Sequence, residues 1–270
     1  MLTYIETIEY FTKLATEKTA LLRKNPFGFL IGALFAGAYV GIGVILIFSV
    51  GQAADPALRP LLMGLSFGIA LTLVVFAGSE LFTGYTMYMT LGRLSGAVTL
   101  RSLVATWIVS WVGNLIGSML LALLFVNGGG GQILKHDATL LFDVASYKMN
   151  SAPLALFSRA ILCNWLVCLA IWMSARTKSD SAKCILIFWC LFAFISSGFE
   201  HSVANMTLFS IALLADHPAT ISVEGMVHNL FWVTLGNAVS GAVFVALGYW
   251  CIAKPAGSMT AETVSSSQEI

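Results

Sequence analysis

Charge is what this sequence has least of. Only 10% of its 270 residues are Asp, Glu, Lys or Arg, while 58% are apolar. Soluble domains carry about 25% charged residues, so the chain reads as an all-α integral membrane protein. A formal net charge of +1 leaves no basic field, and nucleic acid is not an expected partner. The five cysteines lie inside apolar runs with no CxxC pair and no Cys/His spacing. They read as small buried hydrophobes, and neither a disulfide, a metal site nor a cofactor is expected. The glycine tract 128–131 lacks a following Lys-Ser/Thr, so it is no phosphate loop. Residues 1–24 lack the continuous apolar core of a cleavable signal.

Residues 1–25 instead place Leu2, Ile5, Ile8, Phe11, Leu14, Leu21 and Leu22 at three- to four-residue steps. That pattern predicts an amphipathic helix, lying either on the membrane surface or against a helix bundle. Residues 26–252 hold six apolar runs, near 26–50, 60–92, 102–126, 153–175, 184–214 and 226–251. A straight helix over 60–92 would reach about 50 Å against about 30 Å of hydrocarbon, and 184–214 is also too long. Helices 2 and 5 are therefore expected to be broken, at Gly78-Ser79-Glu80 and Gly198-Phe199-Glu200. Residues 253–270 are Ser/Thr-rich and read as a disordered tail. Lys and Arg concentrate on the side shared by the N-terminus, the 93–101 and 176–183 connections and the tail, while Arg59, Lys135 and Lys148 fall on the other. Both termini are thus expected in the cytoplasm.

The two halves resemble each other. Gly78-Ser79-Glu80 answers Gly198-Phe199-Glu200, Gly113-Asn114 answers Gly236-Asn237, and run starts pair as 26/153, 60/184 and 102/226. Three spans per half force the second half to enter from the opposite side, giving two inverted three-helix repeats with a site at the broken helices. At those breaks Glu80 and Glu200 are expected to cap freed backbone amides. Arg159, within the fourth run, is expected to pair with Glu200. Its other reading is a side chain that snorkels to the outer interface. His201, an imidazole between a carboxylate and an apolar run, is the sharpest candidate for contact with a permeating ion. Thr83 could add a hydroxyl donor. Asn114, Asn164, Asn205 and Asn237 are amides within spans and read as locks between helices. His228, near the end of the sixth run, reads as interfacial. Phe67, Leu71, Leu81 and Phe194 near the breaks are either core packing or hydrophobic constrictions. A different class of function is offered by Gly64-Leu65-Ser66-Phe67-Gly68, which fits G-x-S-x-G; Ser66 with His201 would then form an intramembrane hydrolase dyad. That motif belongs after a strand, and here it lies in an apolar helical run.

Glu80-Leu81-Phe82-Thr83 and the run from Phe199 to Met206, FEHSVANM, resemble the two broken-helix motifs of the formate/nitrite transporter family. The run from Leu162 to Cys168 and Gly236-Asn237 match further family patterns, and the likeness extends over about 25–250. The resemblance implies an aquaporin-like fold and a homopentamer in a bacterial inner membrane. It further implies passage of small monovalent anions, nitrite first, with formate or hydrosulfide as alternatives, and not an enzyme. It places Thr83 and His201 at the pore centre and constrictions at Phe67, Leu71, Leu81 and Phe194. Glu80, Arg159, Asn164, Glu200, Asn205 and Asn237 become the supporting polar network, with Arg159 standing where the family has Lys.

Overall fold

The computed structural model describes residues 1–253, and every regular element among them is helical. The expected tail falls outside the described residues apart from Ala253, the last residue of a helix. Five helical runs are long and apolar enough to cross a membrane: Pro26–Ala53, Arg59–Ala77, Leu100–Asn127, Pro153–Ala175 and Val223–Ala253. The remaining apolar run is divided between two shorter helices, Asp180–Ser196 and Ser202–Leu214.

The chain begins with α1 (Tyr4–Lys24), closed at its start by a reciprocal Thr3/Glu6 capping box. Its buried face, Thr7, Ile8, Phe11 and Ala15, settles the two open placements: α1 packs on the bundle, chiefly against α5 (Phe82–Leu94). Phe11 stacks on Trp172 and Tyr88, with ring centroids 5.7 and 6.2 Å apart. Next, α2 (Pro26–Ala53) starts with Pro26 in its first turn, and the Asn25 side chain accepts from the Gly28 N–H. It runs against α6 (Leu100–Asn127), with Gly113 set against Ala33. In the second half α8 (Pro153–Ala175) packs on α11 (Val223–Val239), and Gly236 lies against Ala160. These glycines let helix backbones approach, as interfaces built without a hydrophobic drive require.

Between these pairs run the broken helices. The first is α3 (Arg59–Ser66), α4 (Gly68–Ala77) and α5, and the second is α9 (Asp180–Ser196) and α10 (Ser202–Leu214). Gly78 and Gly198 end α4 and α9 with φ of 77° and 69°, a left-handed turn that costs glycine little. The apolar pattern gives no sign of the second discontinuity, at Phe67. Nor does it mark the π-helical segment Ser240–Leu247 that continues α11 where it meets α5 before α12 (Gly248–Ala253).

The polar connection after α6 folds into one more helix, α7 (Leu140–Met149), which buries Leu141, Ala145 and Met149. Those residues repeat every four positions, a helical signal short enough to be lost among the charges around it.

Candidate functional site

The two breaks share one backbone scheme. At the first, the Phe82 N–H donates to Asn114 Oδ1 at 2.9 Å, and Asn114 Nδ2 donates to the carbonyls of Ala33 (2.8 Å) and Glu80 (3.0 Å). At the second, the Ser202 N–H donates to Asn237 Oδ1 at 2.9 Å, and Asn237 Nδ2 donates to the carbonyls of Ala160 (2.9 Å) and Glu200 (3.1 Å). The Glu80 N–H is bonded to the Gly32 carbonyl, and the Glu200 N–H to that of Arg159. The asparagines thus satisfy the freed backbone groups, which in lipid must find partners inside the protein. The glutamates do not cap, contrary to the expectation from sequence. A carboxylate has only acceptors, whereas each break needs a donor and an acceptor at once, which an amide supplies.

The carboxylates hold lysines instead. Glu80 takes Lys18 of α1 at 2.7 Å on one oxygen and the Tyr85 hydroxyl on the other. Glu200 takes Lys148 of α7 at 2.8 Å and Asn205 Nδ2 at 2.7 Å on a single oxygen. Asn205 also donates to Asn229, and Asn229 Nδ2 donates to the Lys148 carbonyl, so α7, α10 and α11 are tied together.

The expected Arg159–Glu200 ion pair is absent. The Arg159 guanidinium is partly exposed, 5.3 Å from the Tyr147 ring centroid and bonded to the Tyr147 hydroxyl at 2.9 Å. Position 159 meets Glu200 only through its backbone carbonyl, and the cation there is a lysine, from α7. Lys148 escaped the sequence reading because it lies outside every apolar run. The 141/145/149 spacing was the one signal that could have found it.

His201 is the N-cap of α10. Its Nδ1 accepts from the Ala204 N–H at 3.1 Å, so in the neutral ring the proton sits on Nε2. Nε2 faces the Thr83 hydroxyl at 3.2 Å, joining the two breaks. The ring stacks on Phe194, with centroids 5.9 Å apart. Thr83 is held from behind: its carbonyl accepts from the Thr86 hydroxyl at 2.6 Å and from Asn164 Nδ2 at 3.4 Å. Asn164 Nδ2 also donates to Thr86 Oγ1 and to the Asn237 carbonyl. All four span amides therefore bridge elements. His228, by contrast, meets the Ser151 carbonyl at 3.1 Å and no other hydrogen-bond partner among the described residues.

Two spaces meet at His201. One is a cavity of about 530 Å³ whose lining includes Arg59, Lys148, Phe194, His201 and Asn205. Its only charged lining residues are those two cations. The other is a chamber of about 10 Å³, walled by Val40, Phe67, Ala70, Leu71, Leu81, Val167, Leu191, Phe194 and His201. That is about the space of one water molecule. All four sequence-nominated apolar residues surround this chamber and are buried. Beyond Thr83, toward Glu80, the interior is filled by Tyr85, Tyr88 and Trp172 beneath Phe11 of α1.

Ser66 offers no nucleophile. Its hydroxyl donates to the Leu62 carbonyl at 2.9 Å within α3, and His201 Nε2 engages Thr83. The described residues hold no group of three or more His, Cys, Asp or Glu that could bind a metal.

A bundle of apolar helices with two broken ones meeting at a buried imidazole defines a multi-pass membrane channel. Residues 6–251 match the sequence profile described as formate/nitrite transporter, and the chain belongs to that family. It is 49% identical over 247 residues to the nitrite transporter NirC of Escherichia coli K12, covering 92% of this chain and 91% of that one. To the formate channel FocA of Haemophilus influenzae it is 31% identical, covering 91% and 93%. Among solved structures, an FNT family ion channel superposes with a TM-score of 0.90 at 50% identity, covering 93% of this chain and 100% of that one. A pentameric formate channel with formate bound gives 0.74 at 30% identity, covering 85% and 98%. The members so named are transporters and channels, and the protein is not an enzyme.

Proposed function

We propose that the protein conducts nitrite across a bacterial inner membrane as a homopentamer, with one pore in each subunit. The observation that carries this is the junction at His201. A cavity bearing two cations narrows there to a small, largely apolar chamber, and the Nε2–H donor of His201 stands at the boundary. An anion drawn into the cavity loses water between Phe67, Leu71, Leu81 and Phe194. Thr83 and the His201 N–H replace part of its hydration. A dehydrated cation finds no comparable acceptors in that chamber, which accounts for selectivity without a charged filter.

Hydrogen bonding, rather than proton transfer, is the role this geometry favours. A ring that hands over the Nε2 proton must carry a second proton on Nδ1, where the Ala204 N–H already points. Nitrite rather than formate follows from the 49–50% identity to nitrite transporters, against 31% to the formate channel. The Lys/Arg asymmetry puts α1 on the cytoplasmic face and the Arg59/Lys148 cavity on the opposite one.

The test is flux into proteoliposomes with nitrite, formate and hydrosulfide in competition, at two pH values. Replacing His201 by Ala removes a hydrogen bond to a charged ligand, worth about 1.5–3 kcal/mol, so nitrite flux should fall about 10- to 100-fold. Unchanged flux would remove His201 from the pore. A wild type that prefers formate would move the assignment to the other branch of the family.

A further inference from the structure

We propose that Arg59 is a recruitment site for small monovalent anions in the wide cavity, acting before the anion reaches His201. The inference rests on reading the protein as an anion channel and adds a residue to it. Arg59 opens α3 and is partly buried in the cavity wall. Its Nε donates to the Gly51 carbonyl at 3.0 Å and points at the Ala54 carbonyl at 3.4 Å, both at the C-terminal end of α2. The negative end of that helix dipole tethers the guanidinium at one nitrogen. Among the described residues, its two terminal nitrogens have no hydrogen-bond partner and it forms no salt bridge.

The other cation of the cavity is in a different state. Lys148 is committed to Glu200 at 2.8 Å, so the field of that pair falls off with distance more steeply than that of a lone charge. The nearest carboxylate in sequence to Arg59 is Asp55, which accepts from the Ala57 N–H and does not line the cavity. The uncompensated positive charge of the cavity is therefore that of Arg59. The surrounding wall is mostly apolar, including Val44, Ile47, Phe48 and Met63. Low-dielectric walls focus the field of one charge into the aqueous space between them and raise the local concentration of its counter-ion.

The experiment is single-channel recording in planar bilayers, with the anion on one side at a time, for wild type, R59K and R59Q. At low ionic strength, R59Q should raise the half-saturating nitrite concentration about five-fold for nitrite added on the Arg59 side, with much less effect from the other side. At high concentrations of a large impermeant salt the difference should shrink, because exposed charge is screened. R59K keeps the charge and should stay within about two-fold of wild type. The inference is overturned if R59Q matches wild type at low salt, if its defect is equal from both sides or persists at high salt, or if R59K fails as R59Q does. In the last case the bond to α2 is what matters. The comparison is read on whichever of nitrite, formate and hydrosulfide the wild type conducts. Loss of the nitrite assignment then shows in the wild type, and loss of the Arg59 assignment only in the variants.

Discussion

The breaks at Glu80 and Glu200 are built alike and used differently. Each has a left-handed glycine, a carboxylate two residues later, an asparagine from a neighbouring helix that bonds three backbone groups, and a lysine brought by a separate helix. The residue after the carboxylate differs: Leu81 in the first half, His201 in the second. Leu81 contributes a greasy wall to the chamber, and His201 contributes its one imidazole. The surroundings differ too. Lys18 arrives on α1 under a stack of aromatic rings, while Lys148 arrives on α7 beside an open cavity. The repeat supplies a rigid frame twice, and the chemistry sits where the repeat is broken.

The likeness can be broken at its strongest point first. Replacing Asn237 by Ala strands the buried Ser202 N–H and the Glu200 carbonyl, at about 1–3 kcal/mol for each group, while the Ala160 carbonyl keeps its bond within α8. Asn114→Ala strands the matching two, the Phe82 N–H and the Glu80 carbonyl. Both should lower the melting temperature in detergent by a similar and large amount. If only one variant is destabilised, the two frames are not equivalent.

The lysines sharpen the contrast. Lys148→Met leaves a fully buried carboxylate without its cation, a loss of about 3–5 kcal/mol for breaking a buried pair. Lys18→Met should be milder, because its pair with Glu80 is more exposed than that of Lys148 with Glu200. Restoring stability in the Lys148→Met/Glu200→Gln double variant would assign the cost to the unpaired charge. A melting temperature that stays low would deny it.

The smallest effect is expected at Arg159. Arg159→Gln removes a partly exposed contact with Tyr147 and should shift stability by no more than about 0.5 kcal/mol, with flux unchanged. A clear loss of flux would give Arg159 a part in conduction beyond its contact with Tyr147.

Much of the architecture was legible before any coordinates. Scarcity of charge, six apolar runs and two of excessive length define a membrane bundle with broken helices, and glycine beside a carboxylate marks where each break falls. Those features are set by local chemistry: hydrocarbon rejects charge, and a left-handed turn favours glycine. At the junction, His201 stood out as an ionisable group inside an apolar run, while the pairing with Thr83 and the four apolar walls came from nearness to the breaks and from the family resemblance.

Partnership was not legible, because it depends on which elements fold against each other. Whether Glu200 meets Arg159 or Lys148 is decided by how α7 lies across α10, and sequence distance says nothing about that. Whether a break is capped by its carboxylate or by an asparagine from another helix depends on the approach of Gly113 to Ala33 and of Gly236 to Ala160. Composition determined that this chain lives in lipid, and its repeat determined where the helices break. Only the packing decided which cation answers which carboxylate, since an ion pair buried in a low dielectric survives only where geometry brings both charges within hydrogen-bonding reach.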